Sequence, residues 1–359
     1  MIFNNRKVKL LIVDDSAFMR KILMDILAIN DTIEVIGVAR NGIEAINQVN
    51  ILKPDIVTMD IEMPIMNGIE ALKEIMKNNP IPVIMLSSLT SDGADATLTC
   101  LELGAVDFIQ KPSSVFRINA DDLKKELISK INTAARVDLN IKNRDIHVSK
   151  PLSFYNSRKL PPRDKEKNQN LILIGTSTGG PRALQDVIPL MPKDIPASIL
   201  IVQHMPPGFT KSLAERLNHI SHITVKEAEN NEKLLPGYAY IAPGNYHLKI
   251  NSKSNMDIFI ELTQEQSVSG HRPSVDVLFE SVANNIAKNI IAVVMTGMGS
   301  DGANGAKKLK EQTDCYVMAQ DESTSIVYGM PRSAVNAGVV DHIVPLNEIT
   351  NHILKRLGV

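Results

Sequence analysis

The sequence predicts an α/β protein with two domains, each built on a doubly wound parallel sheet. At 359 residues the chain is too long for one ordinary hydrophobic core. Short apolar segments alternate with helical patterns over residues 7–136 and again over 171–359, and the alternation stops between them. Strands that are apolar on both faces and separated by helices are typical of parallel sheets covered by helices.

The first alternating region predicts five strands and five helices from the period of its apolar residues. We expect the strands at Val8–Val13, Ile33–Ala39, Asp55–Met59, Pro82–Leu86 and Val106–Ile109. We expect the helices at Ser16–Ile29, Gly42–Leu52, Gly68–Asn78, Ala94–Leu103 and Asp121–Ala135. The first domain is therefore predicted to occupy residues 7–125.

Residues 126–170 are predicted to hold the end of the last helix and a linker that is flexible in part, because prolines and a charged run replace the periodic pattern. The second domain is predicted at 171–359. Its strands are expected near 171–174, 198–202, 239–242, 290–295 and 315–319. The alternation over Ser252–Thr263 predicts a further strand in a hairpin.

Composition excludes several classes of function. The net charge of −1 gives no electrostatic reason to expect nucleic acid or an anionic membrane as a partner. Two distant cysteines form no metal or redox motif. No apolar run is long enough for membrane insertion, and the first residues do not resemble a secretion signal. We therefore expect a cytoplasmic protein.

Polar residues follow several strands of the first predicted sheet. Asp14 and Asp15 follow the first strand, and Asp60 follows the third. Ser87 and Lys111 follow the fourth and fifth strands. Because the carboxyl ends of parallel strands meet at one edge, these groups should converge. Three carboxylates would repel one another without a cation, and their hard oxygens suit Mg²⁺, while the lysine and the hydroxyl suit a phosphoryl group.

On these residues the first domain resembles a two-component receiver domain, which has a flavodoxin-like fold. The resemblance implies that Asp60 is the phosphoacceptor and that a histidine kinase is the phosphodonor. It assigns the Mg²⁺ pocket to Asp14, Asp15 and Asp60. It assigns the receiver switch to Ser87, Phe108 and Lys111.

The second domain begins with a strand that enters the pattern Gly-x-Ser-x-Gly, which places Ser177 on a turn at a strand end. His204 follows the next predicted strand, and Asp301 lies in the loop after residues 290–295. A serine hydroxyl needs a base, and the base needs an acid to fix its tautomer. The chain order Ser, His, Asp differs from the three familiar orders, so the pattern alone does not define an α/β-hydrolase.

Two alternatives remain open at this point. Gly297, Gly299 and Gly302 match a dinucleotide-binding fingerprint, and Asp321 lies at the spacing expected for a ribose ligand. Against this alternative, the motif falls late in the domain, whereas such motifs usually occupy the first strand–helix turn. The other alternative is a DNA-binding output domain. It is disfavoured because residues 171–359 are slightly acidic and contain no compact helix-turn-helix pattern.

Five motifs in order make the second domain similar to the catalytic domain of the chemotaxis protein-glutamate methylesterases. The motifs are Gly175–Gly180, Gln203–Thr210, Ala242–Gly244, His271–Asp276 and Thr296–Gly302. The resemblance implies a triad of Ser177, His204 and Asp301, with the backbone N–H of Met298 as an oxyanion donor, and no cofactor for hydrolysis. It also implies that the substrates are γ-methyl esters on cytoplasmic helices of chemoreceptors, that methanol is released, and that receptor glutamines are deamidated. A chemotaxis histidine kinase would relieve inhibition by the receiver.

Overall fold

The computed structural model describes residues 6–28, 30–88, 90–111, 120–137, 139, 170–254, 257–285 and 288–359. The chain divides into two compact units, residues 1–139 and 140–359. Most of the predicted linker, residues 140–169, lies outside the described residues. The predicted domain limits of 7–125 and 171–359 stay predictions.

The first unit is a five-stranded sheet in the order β2-β1-β3-β4-β5, and every adjacent pair is parallel. Its strands are β1 Val8–Val13, β2 Ile33–Ala39, β3 Ile56–Asp60, β4 Val83–Ser87 and β5 Asp107–Gln110. Its helices are α1 Ala17–Ala28, α2 Gly42–Leu52, α3 Gly68–Asn78, α4 Ser91–Glu102 and α5 Ala120–Ala134. The predicted parallel fold is confirmed.

Helix ends in this unit follow local capping. Asn41 accepts a hydrogen bond from the N–H of Glu44 at the start of α2, and Asn67 forms a capping box with Glu70 at the start of α3. Helix α4 begins three residues earlier than the sequence predicts. The reason is Thr90, whose side chain accepts from the N–H of Gly93 and so starts the helix at Ser91.

The second unit contains a seven-stranded parallel sheet in the order β14-β13-β12-β6-β7-β9-β8, with a separate antiparallel hairpin, β10-β11. Its strands are β6 Asn170–Thr176, β7 Ala197–Gln203, β8 Thr224–Glu227, β9 Tyr238–Ile241, β10 His247–Ser254, β11 Asp257–Thr263, β12 Lys288–Val294, β13 Asp314–Gln320 and β14 His342–Val344. Its helices are α6 Gly180–Val187, α7 Phe209–Ile220, α8 Val275–Asn285, α9 Ala303–Gln312, α10 Met330–Asn336 and α11 Ile349–Leu357.

Two features of this unit differ from the sequence prediction. The span 252–263 was expected to hold one hairpin strand, but it holds the end of β10 and all of β11. The edge strands β8 and β14 were not predicted, because they are short and half exposed and so show no continuous apolar run.

The centre of the larger sheet positions the candidate site. Strand β6 lies between β12 and β7, and in register Thr176 pairs with Gln203 while Gly175 pairs with Val294. The three strands therefore end side by side at one edge of the sheet, where open α/β sheets hold their ligands. Among the described residues, no helix is long and apolar enough to cross a membrane.

Candidate active site and acidic pocket

Ser177 is the first residue after β6, and backbone hydrogen bonds hold its turn in place. Its N–H donates to the carbonyl of Thr296 (3.0 Å), and its own carbonyl accepts from the N–H of Gly180 (2.8 Å). Gly179 has a φ of 78°, a conformation that favours glycine, and α6 begins immediately afterwards. The Ser177 side chain is partly exposed beside the positive end of that helix.

His204 and Asp301 meet at the same sheet edge. His204 follows β7, and its N–H donates to the carbonyl of Thr176 (3.2 Å), the residue before Ser177. Its ring Nε2 lies 2.8 Å from Oδ2 of Asp301. Both side chains are almost completely buried. The structure therefore brings together the histidine and the aspartate that the sequence predicts, next to the turn that carries the serine.

Asp301 is held by three further donors. Its Oδ1 accepts from the Ser274 hydroxyl (2.8 Å) and the N–H of Asp276 (2.9 Å), and its Oδ2 accepts from the N–H of Val275 (2.7 Å). Burial by itself would raise the pKa of Asp301. The hydrogen bond and charge of His204, together with these backbone donors, outweigh burial and lower the pKa to about 2. Asp301 is thus an ionised acceptor at neutral pH.

The ionised carboxylate decides which nitrogen of His204 carries the proton. Because Asp301 can only accept, Nε2 of the neutral imidazole must be the donor, and Nδ1 keeps its lone pair. Nδ1 is buried and has no hydrogen-bond partner among the described residues. Within that same part of the chain, no hydrogen bond joins Ser177 Oγ to the ring, so this contact of the predicted triad is not made in the structure.

The loop after β12 passes directly against the serine. A Cβ atom added to Gly297 would lie 2.8 Å from Cβ of Ser177, which is closer than such atoms approach, so only glycine fits there. Met298, the predicted oxyanion donor, follows in this loop. The residue before Met298 therefore lies against the candidate nucleophile, and the role of Met298 as an oxyanion donor stays a prediction.

A second buried carboxylate fixes the start of α9. Oδ1 of Asp276 accepts from the N–H groups of Gly302 (2.8 Å) and Gly305 (2.7 Å). Burial raises the pKa of Asp276, and the nearby charge of Asp301 acts in the same direction. These bonds join the first turn of α8 to the loop that carries Asp301, and so limit movement of that aspartate.

Residues that match the dinucleotide-binding fingerprint make contacts within the protein. Asp321, the expected ribose ligand, binds Ser323 and Thr324 within its own turn. The loop from Gly297 to Gly302 supplies Asp301 to His204. The aspartate and the loop are thus both engaged in interactions inside the protein.

The sequence did not single out Ser274 or His271 as site residues. Ser274 donates to Asp301, and the His271 ring lies stacked on His204 with a centroid separation of 3.8 Å. Both belong to the loop before α8, which follows no strand of the parallel sheet. Their presence in one of the five motifs was the only signal available.

The three aspartates that the sequence predicts to converge in the first unit lie close together. One carboxylate oxygen each from Asp14, Asp15 and Asp60 lies within 4.8 Å of the others. The Lys111 Nζ lies 2.8 Å from Asp14 Oδ2 and 2.7 Å from Asp60 Oδ2. Three oxygen ligands at this separation suit a divalent cation, so the acidic cluster is consistent with Mg²⁺ binding.

Burial dominates the protonation of this pocket. It raises the pKa of Asp60 to about 6, and the charge of Asp14 adds to that effect although Lys111 opposes it. Burial acts to lower the pKa of Lys111, but hydrogen bonds to both aspartates raise it overall, so the lysine is charged at neutral pH. One cation is thus shared between two buried carboxylates.

The structure does not bring every predicted switch residue into contact with the pocket. The Ser87 hydroxyl donates to the carbonyl of Gly93 (3.2 Å) and accepts from the Thr97 hydroxyl (2.6 Å), so it is turned toward α4. The Ser87 carbonyl accepts the backbone N–H of Lys111 at 2.7 Å. Phe108 is buried in β5, with Nζ of Lys130 at 5.3 Å from its ring centroid.

These features define a class of protein, namely a response-regulator receiver joined to a second α/β domain whose sheet edge is arranged as an enzyme site. The family model of the response regulator receiver domain matches residues 10–121. The CheB methylesterase model matches residues 172–353. The chain therefore belongs to the CheB methylesterase family, and the family resemblance of the sequence is confirmed.

Full-length relatives agree with this placement. A protein-glutamate methylesterase/protein-glutamine glutaminase of Halalkalibacterium halodurans is 47% identical over 98% of this chain and 98% of its own. One of Pyrococcus horikoshii is 45% identical over 99% of this chain and 95% of its own. The crystal structure of the Thermotoga maritima CheB methylesterase catalytic domain is 43% identical, with a TM-score of 0.51, and covers 52% of this chain and 98% of that one.

Proposed function

We propose that this protein is a phosphorylation-regulated serine hydrolase that cleaves γ-methyl esters of glutamates on chemoreceptor cytoplasmic helices. One observation carries the proposal: a buried, ionised Asp301 binds Nε2 of His204 beside the turn that carries Ser177. That arrangement leaves Nδ1 of His204, which has no hydrogen-bond partner among the described residues, as the candidate base beside the partly exposed Ser177. The names of the full-length relatives support the choice of ester.

Acylation begins when Nδ1 of His204 takes the proton of Ser177 and Oγ attacks the ester carbonyl carbon. The imidazolium that forms is stabilised by Asp301, which already accepts its Nε2–H. The backbone N–H of Met298 is the proposed donor to the carbonyl oxygen as that oxygen becomes negative. His204 then returns its proton from Nδ1 to the methoxide, and methanol leaves.

Deacylation repeats these steps with water as the nucleophile. Nδ1 of His204 removes a proton from water, the hydroxide attacks the acyl-enzyme, and the proton returns to Oγ of Ser177 as the glutamate is released. A glutamine side chain would follow the same path with ammonia as the poorer leaving group, which accounts for the proposed glutaminase activity. Hydrolysis itself uses no cofactor in this scheme.

Regulation is proposed to begin at Asp60, whose carboxylate oxygen attacks a phosphoryl group carried by the chemotaxis histidine kinase. Asp14, Asp15 and Asp60 would hold Mg²⁺, because their oxygens lie close enough to share one ion. When bound, that ion neutralises the negative oxygens of the carboxylates and of the phosphoryl group. Lys111 adds a positive charge at the same place. Phosphorylation is proposed to relieve inhibition of the hydrolase by the receiver.

The proposed activity is tested by measuring methanol release from receptor membranes whose glutamates carry a labelled methyl group. Ammonia release from unmethylated receptors that contain glutamine tests the second activity. We expect both activities, with methanol the faster product because methoxide is the better leaving group. If a folded protein showed neither activity on receptors that another methylesterase hydrolyses, the proposed substrates would be excluded.

Changing Asp301 to asparagine should leave a folded but slow enzyme. Each carboxylate oxygen of Asp301 accepts two hydrogen bonds. Whichever oxygen is replaced by the NH₂ group of asparagine, that group therefore faces two hydrogen-bond donors. If it faces His204, it favours the tautomer with the proton on Nδ1, which cannot act as the base. We expect kcat to fall by about 10²–10⁴-fold with little change in KM, measured by methanol release.

The matched control is Asp321→Asn, which alters the acidic residue of the dinucleotide fingerprint outside the site. We expect near-normal hydrolysis from this variant. A result in which Asp321→Asn is inactive while Asp301→Asn retains full activity would contradict the assignment.

Removing residues 1–139, the whole first compact unit, should raise hydrolysis if the unphosphorylated receiver inhibits. Because both units belong to one chain, the receiver is present at a high effective concentration near the hydrolase. A weak interaction between the two is therefore enough for inhibition. We expect several-fold more methanol per mole from residues 140–359 than from the unphosphorylated full chain. An active, folded fragment that is no faster would indicate that phosphorylation activates the hydrolase directly instead of relieving inhibition.

A further inference from the structure

The His271 ring lies flat on the ring of His204. The two centroids are 3.8 Å apart and the planes differ by 6°, which is a stacked arrangement. The hydrogen bond to Asp301 fixes the direction of Nε2, but a single bond in the plane of the ring does not fix the tilt of that plane. An aromatic neighbour on one face supplies that second restraint.

The backbone around His271 is itself held in place. Val268 and His271 exchange two backbone hydrogen bonds, of 3.1 and 2.9 Å, across a two-residue turn. Ser269 and Gly270 in this turn have φ values of 52° and 82°, which is typical of a tight hairpin turn. The stacked ring therefore projects from a defined turn.

The next residue anchors the same segment to the hairpin region. Arg272 donates through its guanidinium to Oδ1 of Asn245 and to the carbonyls of Gln264 (3.1 Å) and Glu265 (2.8 Å). Its carbonyl accepts from the N–H of Asn245 at 3.1 Å. The segment 268–276 is thus fixed at Arg272, and its last three residues are those that hold Asp301.

We propose that His271 is a positioning residue for the His204 base. Its stacked ring holds the imidazole in the plane in which Nε2 meets Asp301 and Nδ1 is directed away from it, toward the reacting hydroxyl. One short segment then fixes both partners, with His271 on the ring and Ser274, Val275 and Asp276 on the carboxylate. The effect on rate rests on the proposed serine-hydrolase function, whereas the effect on the ring does not.

The substitutions separate stacking from packing and from imidazole chemistry. His271→Phe keeps a flat ring, and His271→Leu keeps similar bulk without one. His271→Ala removes both, and His222→Leu is a control at an exposed histidine outside the site. We expect His271→Phe and His222→Leu to stay within about threefold of the unchanged protein in kcat. We expect His271→Leu and His271→Ala to lose roughly 10–100-fold in kcat, with KM nearly unchanged.

A second measurement detects the tautomer of the His204 ring and does not depend on catalysis. In ¹⁵N spectra of the imidazoles, with His204 assigned by comparison with His204→Gln, the unchanged full chain should show one neutral tautomer with the proton on Nε2. His271→Phe should keep this signature, and His271→Leu should shift toward a mixture of tautomers. Ser177→Ala should lose hydrolysis but keep the signature, which separates failure of the proposed function from failure of this inference.

Two results would overturn the proposal. Unchanged kcat and unchanged His204 spectra in both His271→Phe and His271→Leu would show that a flat ring is not needed. A loss in His271→Phe as large as in His271→Leu would show that the imidazole acts through its nitrogens. If His271→Ala does not fold, as judged by circular dichroism, the Phe and Leu pair still decides between these outcomes.

Discussion

Alanine at position 177 should lower methanol release by between about 10³- and 10⁶-fold, because the variant has no oxygen with which to form the acyl-enzyme. The backbone of the turn should be unchanged. Its hydrogen bonds to Thr296, Gly180 and Gln203 use only main-chain atoms of Ser177. The loss should therefore appear in kcat, with the unfolding free energy nearly unaffected.

The combination with His204 sharpens this prediction. His204→Ala alone should cost nearly as much as Ser177→Ala, and the double variant should be little slower than either, because nucleophile and base act as one unit. A loss in the double variant equal to the product of the single losses would indicate independent roles. Ser323→Ala serves as a control, since this exposed serine donates to Asp321, which lies outside the proposed triad.

The acyl-enzyme provides a test that does not depend on receptors. After incubation with an activated ester such as p-nitrophenyl acetate, mass spectrometry should find an acetyl adduct on the peptide that contains residue 177. The adduct should be absent from Ser177→Ala and present in Ser323→Ala. Near-normal methanol release by Ser177→Ala would end the serine-hydrolase proposal.

The parts of the fold that the sequence predicted are those governed by local rules. Strands buried on both faces, such as Leu171–Ile174 in β6, give continuous apolar runs. Helices α2 and α3 begin and end where the sequence predicts, and side-chain caps mark their first residues. The edge strand β14 has two exposed residues of three, so its pairing with β13 depends on the finished sheet.

The same distinction applies to the site. Ser177, His204 and Asp301 could be proposed because parallel strands bring their carboxyl ends together, a consequence of topology alone. His271 and Ser274 could not, since their loop reaches the site only through tertiary packing. The tautomer of His204 could be assigned only from the observed contact between Nε2 and Asp301. The orientation of the Ser87 hydroxyl could be assigned only from its hydrogen bond with Thr97.

Asp60→Asn should abolish phosphate incorporation from acetyl phosphate or a histidine kinase in the presence of Mg²⁺. An amide has no anionic oxygen to attack phosphorus. Asp14 and Asp15 should not replace the acceptor, because they follow β1 whereas Asp60 ends β3. Basal hydrolysis should survive and should no longer respond to the phosphodonor. Asp25→Asn, at an exposed aspartate paired with Lys21, is the control and should incorporate phosphate normally.

The same variant should also change stability in a defined direction. The pKa of Asp60 is raised from 3.8 to about 6 by burial, so the folded state binds this proton more tightly than the unfolded state. Folding stability is therefore lost as pH rises from about 4 through 6. Asparagine carries no charge to bury, so in buffer with EDTA at pH 7.5 the first unit should gain up to about 3 kcal/mol in unfolding free energy.

Calorimetry of the full chain between pH 4 and 8 measures this gain as a shift of the receiver transition. The difference between Asp60→Asn and the unchanged protein should shrink toward zero as pH falls to about 4, where Asp60 is protonated in the folded state. Mg²⁺ should narrow the difference at pH 7.5, because the ion stabilises the ionised carboxylate and asparagine removes a ligand. If Asp60→Asn were instead destabilised at pH 7.5 without Mg²⁺, the ion pair between Asp60 and Lys111 would outweigh the cost of burying the charge. In the phosphorylation experiment, phosphate incorporation by Asp60→Asn would place the acceptor at another residue.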